Sequence, residues 1–145
     1  DNMKFDILKH LYGTLCVNQS IIYCNSVTRV IDLYNGMKHD GFSVACIHSN
    51  MDKNERQEVF NSFKKGDTRV LISSDITARG IDIQQVSTVI NFDITNSVHT
   101  YLHRIGRSGR YGRKGLAINF ITRGDIRQMK YLEEFYKIQI NEFKM

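Results

Sequence analysis

Proline is missing from this chain altogether. In a domain of ordinary size that is unusual without being diagnostic. There is also no low-complexity tract, no internal repeat and no segment with the composition of a linker. No stretch approaches the ~18 apolar residues that cross a membrane, and the opening Asp1-Asn2-Met3-Lys4 has neither a signal-peptide core nor a transit-peptide pattern. The abrupt start is the one expected of a domain cut from something longer. Cysteine is scarce and odd in number: Cys16, Cys24 and Cys46 include no close pair at zinc-ligand spacing. Two of them sit inside apolar runs, where a thiol acts as a small hydrophobe. The expectation is reduced, structural cysteines, no metal site, no membrane contact, and a cytoplasmic or nuclear setting.

What is present suits one globular domain spanning 1–145, since 41% hydrophobic and 24% charged residues can bury a single core. Lys+Arg 20 against Asp+Glu 15 leaves +5, a surplus that suits an anionic partner and is shared by many basic proteins. The domain is expected to be monomeric.

Short β-branched runs recur at Ser20 to Cys24, Ser43 to Ile47, Arg69 to Ser73, Thr88 to Phe92 and Leu116 to Ile121. Nearly continuous apolar runs of this length fit strands buried on both faces. Helical spacing lies between them. Val27, Val30, Ile31, Tyr34 and Met37 mark one inward face. Asp52 and Glu55 form a capping-box pattern ahead of Val59, Phe60 and Phe63, with Gly66 as the stop. Asp125 opens a last helix with Ile126, Met129, Leu132 and Tyr136 inward. Alternation of this kind predicts an α/β domain with a parallel sheet covered by helices on both faces.

In such sheets ligands lie beyond the carboxyl ends of the strands. Each run is followed there by polar residues: Asn25 and Ser26, then His48, Ser49 and Asn50, then Ser74 and Asp75, then Asp93. Taken singly, such loops are ordinary solvated strand ends. Two denser clusters add more. From His103 to Arg113 arginine recurs about every third residue with glycines interleaved. Glycine within a helix costs roughly 0.5 to 1 kcal/mol relative to alanine, so these positions imply a non-helical backbone or a close approach. The guanidinium fork fits phosphate oxygens, so the run reads as a phosphate clamp. A basic surface that binds nucleic-acid phosphate without catalysis is the plainer alternative. The second cluster, Ser73 to Asp82, places hydroxyls, Arg79 and the short carboxylate of Asp82 after a buried strand. Alone, it could be a capped turn.

Together these segments resemble the DEAD-box RNA helicases. Ala78 to Asp82, reading ARGID, is similar to motif V of that family, and His103 to Arg110, reading HRIGRSGR, to motif VI. Ser20 to Ser26 resembles motif IV, and Met51 to Arg56 the segment holding a Q-x-x-R element. The likeness runs in order along essentially the whole chain. The tail Gly112 to Thr122 and the opening Lys4-Phe5-Asp6 resemble the initiation-factor 4A branch.

The resemblance implies the second, C-terminal RecA-like domain of a two-domain ATPase. The phosphate loop and the carboxylates that hold Mg2+ belong to the first domain of such proteins, and neither G-x-x-x-x-G-K-[ST] nor Asp-Glu-Ala-Asp occurs here. It implies Arg107 and Arg110 as arginine fingers toward the γ-phosphate of ATP, Asp82 as a ribose contact and Gly80 as the residue that keeps that approach open. His103 and Arg104 would couple motif VI to its neighbours or to the first domain. Ser26, Lys53, Arg56, Ser74 and Arg79 would meet the backbone of single-stranded or locally unwound RNA. A scaffold protein of the translation or mRNA-processing machinery is the further partner implied.

Four positions depart from the family pattern: Lys53 replaces a glutamine, Ser49 a glycine, Tyr23 a phenylalanine and Thr95 a proline. Lysine meets phosphate but cannot both donate and accept as an amide does. Two rival readings stand beside the helicase: a catalytically inactive RNA-binding or scaffold module of the same fold, and a DNA-directed relative. Retention of Asp82, Arg107 and Arg110 weighs against the first, and the ARGID and HRIGRSGR wording against the second.

Overall fold

The structure, a computed structural model, describes residues 2–14, 19–74, 88–95, 97, 116–136 and 140. In chain order these form helix α1 (Asn2–Thr14), strand β1 (Ser20–Tyr23), helix α2 (Val27–His39), strand β2 (Val44–Ile47), helix α3 (Lys53–Lys65) and strand β3 (Val70–Ser73). Strands β4 (Thr88–Asn91) and β5 (Leu116–Asn119) follow, then a 3-10 turn at Arg123–Asp125 and helix α4 (Ile126–Tyr136). The strands make one sheet in the order β2-β3-β1-β4-β5, with every neighbouring pair parallel.

The apolar runs are continuous because both faces are covered. Successive strand residues point to opposite sides. Ile22, Val70, Ile72 and Ile90 therefore join Val30, Leu33 and Met37 of α2 and Leu8 and Leu11 of α1 in one core. Ile21, Tyr23, Leu71 and Val89 pack with Phe63 of α3 in the other. Every strand is shorter than its run by one or two residues. Cys24 and Phe92 stay buried just past the ladder, where the Cys24 N–H still donates to Ser73 O at 3.0 Å.

Helix α1 is an element the sequence reading did not foresee. Phe5, Leu8, Leu11 and Tyr12 recur at helical spacing and pack onto the α2 side of the sheet. It lies close against α2, for a β-carbon added at Gly36 would come within 3.2 Å of the Phe5 ring. The inward face of α2 also differs from the expected one. Ile31 is 37% exposed, because the buried stripe runs through Val30, Leu33 and Met37 and Ile31 stands about 100° round the helix from Val30. In α4, Leu132 is fully buried and Met129 packs beside it, but Ile126 is 42% exposed. The Asp125 carboxylate accepts from the Thr122 N–H at 2.9 Å, closing the 3-10 turn before the helix and leaving Ile126 on its outer first turn.

Helix ends follow local chemistry. At α3 Asp52 accepts from the Glu55 N–H at 2.8 Å while Glu55 accepts from the Asp52 N–H at 3.3 Å, the reciprocal capping expected from the spacing. Gly66 closes α3 at φ +88, where the Gly66 N–H reaches Phe63 O and the Asp67 N–H reaches Ser62 O, both at 3.0 Å. This is the left-handed Schellman ending that glycine adopts without strain. Among the described residues no helix is long and apolar enough to cross a membrane.

Candidate nucleic-acid interface

The carboxyl ends of β2, β3 and β1 lie side by side, since Ile47 pairs with Ser73 and Ser73 with Tyr23. The chain leaves these ends at His48, Ser74 and Cys24. The Ser74 N–H donates to Ile47 O at 3.3 Å and the Cys24 N–H to Ser73 O, so the three exits are tied into one edge. From it rise the N-termini of α2 and α3, whose first-turn amides carry partial positive charge and favour anions.

The two helix starts differ. Ser26, exposed and uncharged, caps α2 by accepting from the Arg29 N–H at 3.3 Å. At α3 the cap is the carboxylate of Asp52, held below its ordinary pKa chiefly by the Glu55 N–H. That carboxylate offsets the helix end, and the positive charge moves to exposed Lys53 and half-buried Arg56.

Beneath Ser26 lies a network built on Asp93, which follows β4 and is buried. One carboxylate oxygen accepts from Arg29 Nε at 2.6 Å and from the Asn25 N–H at 3.0 Å, and the other meets the Lys4 ammonium at 3.3 Å. Asn25 Nδ2 donates to Ile94 O at 3.0 Å, and Lys4 Nζ to Phe92 O at 2.8 Å. Burial alone would raise the Asp93 pKa. The donors from Arg29 and Asn25 and the Lys4 charge override it and hold the carboxyl below its usual range. The same hydrogen bond raises the pKa of Arg29. In the sequence Asp93 stands as one polar strand end among several. Its partners Arg29 and Lys4 are 64 and 89 residues away, a separation that no local pattern signals.

Of the candidate RNA-contacting residues, Ser26, Lys53, Arg56 and Ser74 are described, and all four lie on this edge. Ser26 and Lys53 are exposed, whereas Ser74 is buried at the base of the edge. Arg79, Gly80, Asp82, His103, Arg104, Arg107 and Arg110 lie outside the described residues. Among the described residues no three His, Cys, Asp or Glu side chains gather where they could hold a metal ion.

Comparison with known proteins gives concordant likenesses. The family described as "Helicase conserved C-terminal domain" matches residues 3–112. Eukaryotic initiation factor 4A of Caenorhabditis elegans is 50% identical over 142 residues, covering 98% of this chain and 35% of that protein. The ATP-dependent RNA helicase fal-1 of Neurospora crassa is 47% identical over 145 residues, covering 100% of this chain and 36% of that protein. The chain thus spans little more than a third of the length of these curated relatives. Among solved structures, the C-terminal domain of the DEAD-box protein Dbp5 superposes with a TM-score of 0.86 at 35% identity, covering 96% of this chain and 82% of that one. The same score is reached, at 36% identity, with S. cerevisiae Dbp5 bound to RNA and ADP BeF3, covering 92% of this chain and 36% of that one.

Proposed function

Because the chain belongs to the helicase C-terminal domain family, as the second RecA-like domain of a DEAD-box RNA helicase, we propose that it works as half of an RNA-stimulated ATPase that unwinds RNA or remodels ribonucleoprotein. Ser26, Lys53, Arg56, Ser74 and Arg79 hold the RNA backbone. The observation that carries this reading is the convergence of four of these residues, drawn from three adjacent strand ends, on one edge with two helix N-termini. Contacts of this kind position a strand without reading its bases, so binding is largely indifferent to sequence.

Arg107 and Arg110 face the γ-phosphate and stabilise charge that develops on the transferred phosphoryl group. Asp82 bonds the ribose, Gly80 leaves room for it, and His103 and Arg104 couple the arginines to the neighbouring domain. Mg2+ would be held by the N-terminal RecA-like domain and would neutralise the phosphates there, since the family's phosphate-loop and Asp-Glu-Ala-Asp motifs do not occur in this sequence. The isolated chain is therefore inactive as an ATPase, and its parent acts in the cytoplasm or nucleus, where a scaffold protein of translation or mRNA processing regulates it.

Support for RNA as the substrate comes from relatives named ATP-dependent RNA helicases and from the structural neighbour bound to RNA. The test is ATP hydrolysis by the full-length protein with and without RNA or DNA. Stimulation by RNA and not by DNA is expected. Equal stimulation by DNA would contradict the reading, and so would turnover by the isolated chain.

A further inference from the structure

We infer that Asp93 is a positioning residue for RNA binding: it acts through Asn25, Arg29 and Lys4 to fix the N-terminus of α2, on which Ser26 stands. The inference rests on the reading of Ser26 as an RNA-backbone contact. The network supports it residue by residue. The segment between β1 and α2 is two residues past Cys24, Asn25 and Ser26, and both are exposed. Such a segment would be loose if left to itself. Instead Asn25 is held by its N–H on the Asp93 carboxylate and by its side chain on Ile94 O, each at 3.0 Å. Arg29, in the first turn of α2, meets the same carboxylate at 2.6 Å, and its backbone N–H is the donor to Ser26 Oγ. Asp93 therefore grips the helix start on both sides of Ser26, from the end of the neighbouring strand β4.

Two cations and a backbone N–H on a single carboxylate exceed what is needed to neutralise one buried charge. Lys4 lies over the Phe92 ring at 5.5 Å and Arg29 over it at 5.6 Å, so the aromatic face seats both cations. Lys4 sits in α1, and through it the first helix of the domain braces the same point. The arrangement sets the angle at which the α2 N-terminus and Ser26 meet a phosphate. Asp93 itself, buried, touches no RNA.

The experiment uses the full-length protein and a single-stranded RNA oligonucleotide, and reads the KM for RNA and kcat of RNA-stimulated ATP hydrolysis for Asp93→Asn, Ser26→Ala and the double variant. Asp93→Asn is expected to raise KM about tenfold with kcat at saturating RNA within about twofold of wild type. It should be nearly silent in the Ser26→Ala background, because groups acting through one contact are not additive. Gln19→Ala, which loosens the opposite edge of the sheet, should leave KM unchanged. An additive Asp93→Asn effect, or a fall in kcat with KM unchanged, would overturn the inference. If Ser26→Ala alone leaves KM unmoved, the reading of Ser26 fails instead. Should Asp93→Asn not fold, Lys4→Met carries the same cycle with a smaller expected KM change, and an additive result there would equally overturn it.

Discussion

At the amino edge of the sheet Gln19 is buried, and its amide nitrogen donates to Phe63 O at 2.6 Å and Thr68 O at 2.9 Å. Beside it Tyr12 bonds Ser20 through their hydroxyls, and burial pushes the Tyr12 pKa up to about 12, so the ring stays neutral. At the carboxyl edge the buried carboxylate of Asp93 closes only the base. Above it Asn25, Ser26, Asn50 and Lys53 remain exposed. At the amino edge Gln19 turns inward onto two backbone carbonyls and the Tyr12 and Ser20 hydroxyls pair with each other, so the core is sealed there. The carboxyl edge presents hydroxyl, amide and ammonium groups outward around two helix N-termini, as a surface for an anionic chain would.

The largest effect is expected from the two arginines proposed as fingers. In the full-length protein Arg110→Ala should lower ATP turnover by roughly 10³ to 10⁵ with little change in ATP binding, since a finger acts on transition-state charge. Arg107→Ala should follow the same pattern less severely. Equal loss of binding and rate would remove the distinction between fingers and simple ligands. The opposite edge should respond in stability alone. Gln19→Ala strips the donor from two carbonyls and should cost about 1 to 3 kcal/mol in denaturant unfolding, leaving the KM for RNA unchanged. A KM shift would break the separation of the two edges.

A pH series sharpens the comparison further. Because the folded pKa of Asp93 is depressed, its ionisation stabilises the fold fully above the unfolded value of about 3.9, and that contribution is lost as pH falls through the lower folded value. The stability difference between wild type and Asp93→Asn should stay constant from neutral pH to about pH 5 and shrink below about pH 4. A difference that grew on acidification would mean that the carboxylate is not held by its cations. The smallest expected effect belongs to Lys53→Ala, which should weaken RNA binding uniformly across sequences and flatten log K against log salt by about 0.7.

How much of this was legible in the sequence depended on the range of the interactions. Strands β1, β3 and β4 showed as apolar runs because each is buried on two faces, and the α3 boundaries showed because Asp52 with Glu55 at one end and Gly66 at the other act within a turn of the helix end each marks. The bounds ran long at Cys24 and Phe92, where burial outlasts the ladder. Ile31 and Ile126 went astray because an apolar residue on a helix need not face the core, and neighbouring residues at good spacing settled which stripe was buried. Helix α1 carried its signal in the helical spacing of Phe5, Leu8, Leu11 and Tyr12. In the candidate site, Ser26 was visible as a polar residue after a strand, whereas Lys53 and Arg56 were reached only through the resemblance to the Q-x-x-R segment. The Asp93 network was not visible, because Lys4, Arg29 and Asp93 meet only once β4 lies beside β1.

The claim that the carboxyl edge holds RNA by its backbone is tested most directly through Arg56. Binding of the full-length protein to several single-stranded RNA sequences would be measured with a non-hydrolysable ATP analogue over a range of salt, for wild type and Arg56→Ala. The account predicts weaker binding by the same factor for every sequence and a salt slope flatter by about 0.7, the share of one phosphate contact on a single strand. An unchanged slope, or a loss confined to particular sequences, would contradict it.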